Sequence, residues 1–471
     1  MSLNQFPQDF VYGGATAAYQ VEGETRTHGK GKVPWDDFLA AQGRFSPDPA
    51  SDFYNRYGVD LELCERFGLN GIRVSIAWTR IFPDGTLASG PNAEGLAYYH
   101  DLFAACRAHG VEPYVTLVHF DTPDALSGPD RGWLDRATID AYVTYAQFCF
   151  QEFSEVSHWF TFNEIAATAE GSFIVGNWPY GEKYRLDKAF QLMHNMMVAH
   201  ARAVVAFKEG GFAGEIGIVQ NCEPKYPLDP ASLADCEAAR AADVINNKFL
   251  LDATFRGHYA EDTLAIAKRL AAIAGGTLDI RDEDLAWLTK AAPLNDCLGL
   301  NTYKCQFLRA WDGGNDIHHN GTGDKGSSRW ALEGVGEALV REGIPTTDWD
   351  WIIYPEGLYD LLLRVKNDYP NYKKIYITEN GMGYKDDLVD GIVDDTPRID
   401  YIRQHLSWIL KAIDGGVNVQ GYFVWSLQDQ FSWTNGYNKR YGLFYVDFDT
   451  QKRIPKASAY WFKNVAETKR V

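Results

Sequence analysis

The sequence predicts an α/β fold, a closed (β/α)8 barrel with long loops at its mouth. Three observations predict it. Short apolar runs alternate with longer helical patterns, in about eight repeats along the chain. The runs are apolar at successive positions, as strands buried on both faces of a parallel sheet must be. No low-complexity linker divides residues 1–471, so the repeats belong to one unit, and eight β-α units close into a barrel.

The elements follow in order. Residues 10–15 (FVYGGA) are the first predicted strand, and 53–67 a helix. Residues 71–76 (GIRVSI) are a strand and 98–109 a helix. The next pairs are 113–120 (PYVTLVHF) with helix 137–153, and 158–164 (HWFTFNE) with helix 191–207. Strand 215–221 (EIGIVQN) is followed by a long, mainly helical section before strand 296–303 (DCLGLNTY). Residues 309–350, rich in Gly, Asp, Asn and His, show no clear periodicity and are expected as an excursion near the barrel mouth. Helix 356–365, strand 374–380 (KIYITEN), helix 398–413 and strand 419–426 (VQGYFVWS) complete the series.

Composition narrows the function. A net charge of -18 argues against nucleic acid and against a polybasic membrane surface. The seven Cys are irregularly spaced with no C-x-x-C, which predicts buried free thiols rather than disulfides or zinc. The start, MSLNQFPQDF, has no basic segment followed by an apolar one, and no uncharged apolar run approaches membrane length. The expectation is a cytoplasmic enzyme without metal or cofactor; oligomeric state is not legible.

Barrels of this kind carry their chemistry where strands end. The predicted strand ends hold Arg73, His119 and Asp121, Asn163 and Glu164, Asn301 and Tyr303, Glu379 and Asn380, and Trp425. So much polarity at core-facing positions needs partners or a task. Glu164 and Glu379, ending the fourth and seventh strands, would face one bowl. Two carboxyl groups flanking a small site are what glycoside hydrolysis requires: one protonated to give a proton, the other ionised to attack.

After the last strand the chain becomes polar and rich in Gly and Asn, so 427–441 is a loop. A hydroxyl (Ser432), an ammonium (Lys439) and a phenol (Tyr441) converging there could hold a phosphate. Trp425 and Trp433 offer flat apolar faces for a sugar ring.

Other signals point elsewhere. The stretch 321–326 (GTGDKG) matches G-x-G-x-x-G but follows no strand, so it is expected as loop. His194 and His200 lack metal spacing, His318 and His319 are expected to be solvated, and no G-x-S-x-G accompanies His119 and Asp121. Trp349 and Trp351 divide evenly between lining a leaving-group side and packing.

Together the stretches FVYGGATAAYQVEG, HFDTP (119–123), TFNE (161–164), ITENG (377–381) and GYFVWSLQDQFSW through YGLFYVDF resemble glycoside hydrolase family 1, end to end. The resemblance implies the TIM-barrel fold and retaining β-glycoside hydrolysis, with Glu164 as acid/base and Glu379 as nucleophile. It implies that Arg73 and Tyr303 hydrogen-bond the nucleophile, and that Asn163 meets the sugar 2-hydroxyl. Gln20 and His119 would bind further hydroxyls, Trp425 would carry the ring, and Asn301 belongs to the same substrate-binding set. Ser432, Lys439 and Tyr441 match the phospho-sugar branch, where plain β-glycosidases often have Glu in place of the serine. Trp433 is similar to the tryptophan of the branch acting on 6-phospho-β-galactosides, whose indole N–H suits an axial 4-hydroxyl. The implied partner is a small phosphorylated β-galactoside such as lactose 6-phosphate. A 6-phospho-β-glucoside as substrate, and a non-catalytic phospho-sugar-binding protein, stay open as alternatives.

Overall fold

The computed structural model describes residues 5–127, 132–369 and 371–471. Eight parallel strands close a barrel: β1 Val11–Ala15, β2 Gly71–Ser75, β3 Glu112–Val118, β4 His158–Asn163, β5 Glu215–Asn221, β6 Cys297–Asn301, β7 Ile375–Asn380 and β8 Val419–Trp425. Neighbours in the ring are neighbours in sequence, and β1 completes the circle by pairing with β8 through Ala15 opposite Trp425. The expected fold class is therefore the one observed, with strand ends shifted by a residue or two.

The helices between strands include Phe53–Arg66, Ala93–Ala108, Ala137–Glu152, Leu186–Glu209, Glu356–Asp368 and Thr396–Asp414. Four run beyond their expected spans, those at Ala93–Ala108, Leu186–Glu209, Glu356–Asp368 and Thr396–Asp414. The helix at Ala93–Ala108 starts five residues earlier because Asn92 caps it, its side chain accepting from the Glu94 N–H at 3.3 Å. His194 and His200 both lie inside the long helix Leu186–Glu209 and are buried. They serve packing: His194 bonds Tyr259 and Asp284, and His200 bonds Thr161.

The barrel interior has two layers. Below, Tyr114, Phe160, Tyr376 and Phe423 pack as an aromatic plug, with Tyr114 at 4.9 Å from Phe423 and 5.2 Å from Tyr376, ring centre to ring centre. Above it, toward the strands' C-terminal ends, the inward residues turn polar: Arg73, Thr116, Asn163, Asn301 and Glu379, all buried. An apolar floor under a polar layer fixes where the chemistry can sit.

The stretch 309–350 departs from expectation. It does lie between the sixth and seventh units, but it carries three short strands, Asp316–His318, Arg329–Leu332 and Gly336–Leu339. These join Gln306–Arg309 and Lys225–Pro227 in a second, five-stranded sheet. Strands of three or four residues are too short to show an alternating pattern. The thiols also differ slightly: all seven are free, but Cys236 is only half-buried. After β8 a hairpin, Phe444–Asp447 with Lys452–Pro455, and a final helix, Ala457–Thr468, pack against the barrel. Among the described residues no helix is long and apolar enough to cross a membrane.

Candidate active site

A cavity of about 240 Å³ opens where the strands end. Its wall includes Gln20, His119, Glu164, Asn301, Tyr303, Glu379, Trp425, Ser432, Trp433 and Tyr441. Thus ten of the thirteen expected site residues surround one space. Arg73 and Asn163 stand directly behind it, hydrogen-bonded to each other at 2.6 Å. Lys439 is placed differently, as described below.

Glu379 comes from β7 and Glu164 from the turn after β4. Glu164 has a positive φ of 47° and leads straight into the short helix Ile165–Ala169. Its own N–H donates to the Val219 carbonyl at 2.9 Å, which holds this unfavourable turn in place. Phe120 and Trp433, on the same wall, also have positive φ.

The two carboxyls have unequal surroundings. Glu379 forms an ion pair with Arg73 and accepts from the Tyr303 hydroxyl at 2.6 Å. Arg73 is itself fixed: its Nε donates to Thr116 Oγ1 at 3.1 Å and its Nη2 to Asn163 Oδ1. Among the described residues the Glu164 carboxyl accepts only the Asn301 amide, at 2.6 Å. Thr378 in turn donates to Asn301 Oδ1 at 2.7 Å, which orients that amide. Burial raises Glu379, and the Arg73 charge and the Tyr303 hydroxyl oppose that rise without cancelling it. Burial, and then the charge of Glu379, push Glu164 up to about 8. Burial, then the Glu379 charge, raise the Tyr303 phenol far above its usual range, so it remains a donor. The Arg73 ion pair and the Tyr303 hydroxyl favour the ionised form of Glu379, while Glu164 keeps its proton below about pH 8, the division of labour that glycosyl transfer to water needs.

Around this pair lie groups suited to hydroxyls. Asn163 Nδ2 approaches His119 Nε2 at 3.1 Å. His119 Nδ1 is buried with no partner among the described residues, as is Gln20 Oε1, while Gln20 Nε2 donates to the Phe431 carbonyl at 2.7 Å. Burial and the nearby Arg73 hold His119 well below the usual imidazole range, hence neutral. Asp121, beside it, accepts the His119 backbone N–H at 3.0 Å and shapes the turn. Trp425 lies nearly parallel to His119. Trp433 stacks on Tyr19 at 5.5 Å and 1°, packs against Trp35 and Phe120, and lines the cavity.

Lys439 sits one layer back and is 2% exposed. Its ammonium lies 3.7 Å from the Trp351 ring centre, 4.9 Å from Trp349 and 5.1 Å from Tyr441. Among the described residues no carboxylate forms an ion pair with it. Burial, with Lys304 as a like charge, holds it well below the usual lysine range. A buried cation caged by aromatic faces and lacking an anion is costly unless an anion arrives.

Several wall residues had no clear sequence signal. Glu223 and Lys304, paired at 3.2 Å, and Glu170 and Trp178 line the outer part. His319, expected to be a solvated loop residue, also lines it while remaining exposed. Trp351 lines the cavity, whereas Trp349 is fully buried and packs behind it. Residues 321–326 form a loop, as expected. Among the described residues no group of three His, Cys, Asp or Glu is arranged to hold a metal ion.

The model of the glycosyl hydrolase family 1 matches residues 2–471. The chain is 56% identical over 470 residues to a 6-phospho-beta-galactosidase of Streptococcus equi subsp. zooepidemicus, covering 100% of this chain and 99% of that protein. It is 56% identical over 467 residues to a 6-phospho-beta-galactosidase of Staphylococcus aureus, covering 99% of each. Among solved structures, the family 1 β-glucosidase from Thermotoga maritima superposes with a TM-score of 0.87 at 34% identity, covering 100% of both chains. The same enzyme in complex with glucoimidazole gives 0.87 at 35%, again covering 100% of both chains.

Proposed function

The chain belongs to glycosyl hydrolase family 1, and from that premise we propose that it hydrolyses 6-phospho-β-galactosides with retention of configuration. In the first step a Glu379 oxygen attacks the anomeric carbon while the glycosidic C–O bond breaks. Glu164 gives its proton to the departing oxygen. In the second, water attacks the anomeric carbon of the glycosyl ester, Glu164 takes the water's proton, and Glu379 leaves as carboxylate with galactose 6-phosphate. Arg73 and Tyr303 hold the nucleophile ionised between cycles. Retaining pairs stand about 5–5.5 Å apart and inverting ones roughly 6.5–9.5 Å, and retention is the reading that the nucleophile's ion pair with Arg73 favours.

The phosphate reading is carried by one observation: Lys439 is a buried ammonium with aromatic rings on its faces and no carboxylate partner among the described residues. The loop 430–441 contains no Asp or Glu to repel a dianion. Ser432 and Tyr441 supply hydroxyls on the same side, and each charge-assisted bond contributes about 1.5–3 kcal/mol. Trp433, on the cavity wall, is assigned to the 4-hydroxyl; Gln20, His119 and Asn163 to the others; Trp425 to the ring face. All of residues 1–471 serve one catalytic domain. Its charged substrate does not cross a membrane unaided, so the reaction belongs in the cytoplasm, with no nucleic-acid partner.

Four nitrophenyl substrates test the reading: galacto and gluco, each with and without the 6-phosphate. The expected order places the 6-phospho-galactoside first by at least about a hundredfold over its unphosphorylated form, the worth of one to two charge-assisted bonds. Equal rates with and without phosphate would refute it.

A further inference from the structure

Behind the 430–441 loop lies a buried charge knot that touches neither carboxyl of the reacting pair. Three carboxylates, Asp386, Asp395 and Asp429, meet three cations, Arg398, Arg440 and Lys456. Five of the six side chains have no exposed surface, and Arg440 keeps 16%. The charges balance within the knot, so its cations have nothing to offer a ligand. Lys439, next to Arg440 in sequence, is outside it.

The knot closes the base of the loop. Asp429, at the loop's start, accepts from Arg440 Nη1 at 2.6 Å, from Lys456 Nζ at 2.7 Å and from the Gly442 N–H at 2.9 Å. Arg440 and Gly442 belong to the loop's end, so one carboxylate ties the two ends together. Asp386 accepts both terminal nitrogens of Arg398, at 3.1 and 3.0 Å, and also takes Lys456. Arg398 Nη2 donates in turn to the Arg440 carbonyl at 3.0 Å. The Arg440 backbone also pairs with Tyr384 in a short antiparallel bridge. Arg440 thus points into the knot, while its neighbours lie on the other side, Tyr441 on the cavity wall and Lys439 against Trp351. That is the alternation of an extended segment.

We propose that Arg440 and Asp429 are positioning residues for the phosphate grip: their clasp sets the distance between Ser432 on one limb of the loop and Lys439 and Tyr441 on the other. The inference rests on the phosphate reading above and assigns the means of its preorganisation. Buried ion pairs contribute little net stability against apolar replacements, and their best-attested use is fixing one arrangement over others. A phosphate needs donors at fixed distances, and rigid placement before binding raises affinity by lowering the cost of ordering.

The test compares phosphorylated and plain nitrophenyl β-galactosides in wild type, Arg440→Met and Arg440→Lys. Wild type is measured first; a wild type with no preference for the phosphate defeats the functional reading itself. With that preference present, Arg440→Met is expected to lower kcat/KM for the phosphorylated substrate by about tenfold or more, through KM, the equivalent of one charge-assisted contact. The plain substrate stays within about twofold, which also reports an intact fold and reacting pair. Arg440→Lys regains part of the loss because it restores the charge on Asp429. Calorimetry adds a second readout: galactose 6-phosphate binding weakens in Arg440→Met and galactose binding does not. Parallel losses on both substrates, or no loss on either, overturn the proposal. Should Arg440→Met not fold, the same comparison in Arg440→Lys decides it: a selective loss on the phosphorylated substrate supports the clasp, and equal values reject it.

Discussion

Glu164 and Glu379 are the same residue type in the same cavity, and their neighbours divide the work. Of the two acids it is Glu379 that Arg73 and the Tyr303 hydroxyl bond, which favours the proton on Glu164. Burial and the Glu379 charge place its loss near pH 8. A proton donor acts below its pKa, so kcat/KM should fall as pH rises through about 8, with a slope of one proton. Glu164→Gln should remove that alkaline limb for a nitrophenyl substrate while slowing poorly activated substrates by about 10²–10⁴-fold. A pH–rate profile checks both. Lys439 gives the opposite kind of handle. Burial depresses its ammonium, and a bound dianion favours the protonated form, so galactose 6-phosphate affinity should weaken as pH rises. Lys439→Met should flatten that dependence and reduce the preference for phosphorylated substrate by about ten- to hundredfold, readable by calorimetry and substrate comparison. The acids were legible because charge at the end of an apolar strand is anomalous. The cage around Lys439 was not, since Trp349 lies in the stretch without periodicity and Trp351 just past its end. Thr116, which holds Arg73, was hidden too: a lone threonine is an ordinary strand residue until its inward face is known.

At the scale of elements, the barrel strands and most helices were readable from apolar runs, and the second sheet was not. Lys225 and Gln306, paired in that sheet, also bond each other at 2.7 Å, and Lys225 then holds Glu223 at 2.8 Å. The sheet thereby steadies the Glu223–Lys304 wall of the cavity. Close approach between β7 and β8 is the tighter constraint. A methyl group added at Gly381 would stand 2.0 Å from the Trp425 carbonyl oxygen. Gly381→Ala should therefore displace the end of β8 that presents Trp425. The expected outcome is a loss of activity of about a hundredfold or more on every substrate, phosphorylated or not, because misplacement by about 1 Å near reacting groups has that effect. Steady-state kinetics on both substrate types separates this from the selective effect expected at Arg440.

For the whole molecule, the net charge of -18 and a phosphate site are compatible because the site is local. Screening limits the surrounding acidity to within about 8 Å at physiological salt, and Lys439, beside the cavity wall, has no ion-pair partner among the described residues. The aromatic plug under the site carries the barrel's packing. Phe423→Ala, at a fully buried position between Tyr114 and β1, should cost about 3–5 kcal/mol, measured by denaturant unfolding. If folding stays intact at 25 °C, the pH profile should be unchanged, since the plug touches neither acid.

The pairing of β1 with β8 has a further implication for how the enzyme comes into being. Val11–Ala15 leaves the ribosome more than four hundred residues before its partner Val419–Trp425. Until then the nascent chain carries an open edge on β1 and an unshielded aromatic interior, a state that holding chaperones recognise. Trp425, on the cavity wall, arrives on the closing strand. Activity and protection of the interior must therefore appear together, late in synthesis, and stalled translation products ending before residue 419 should be inert and bound by chaperones.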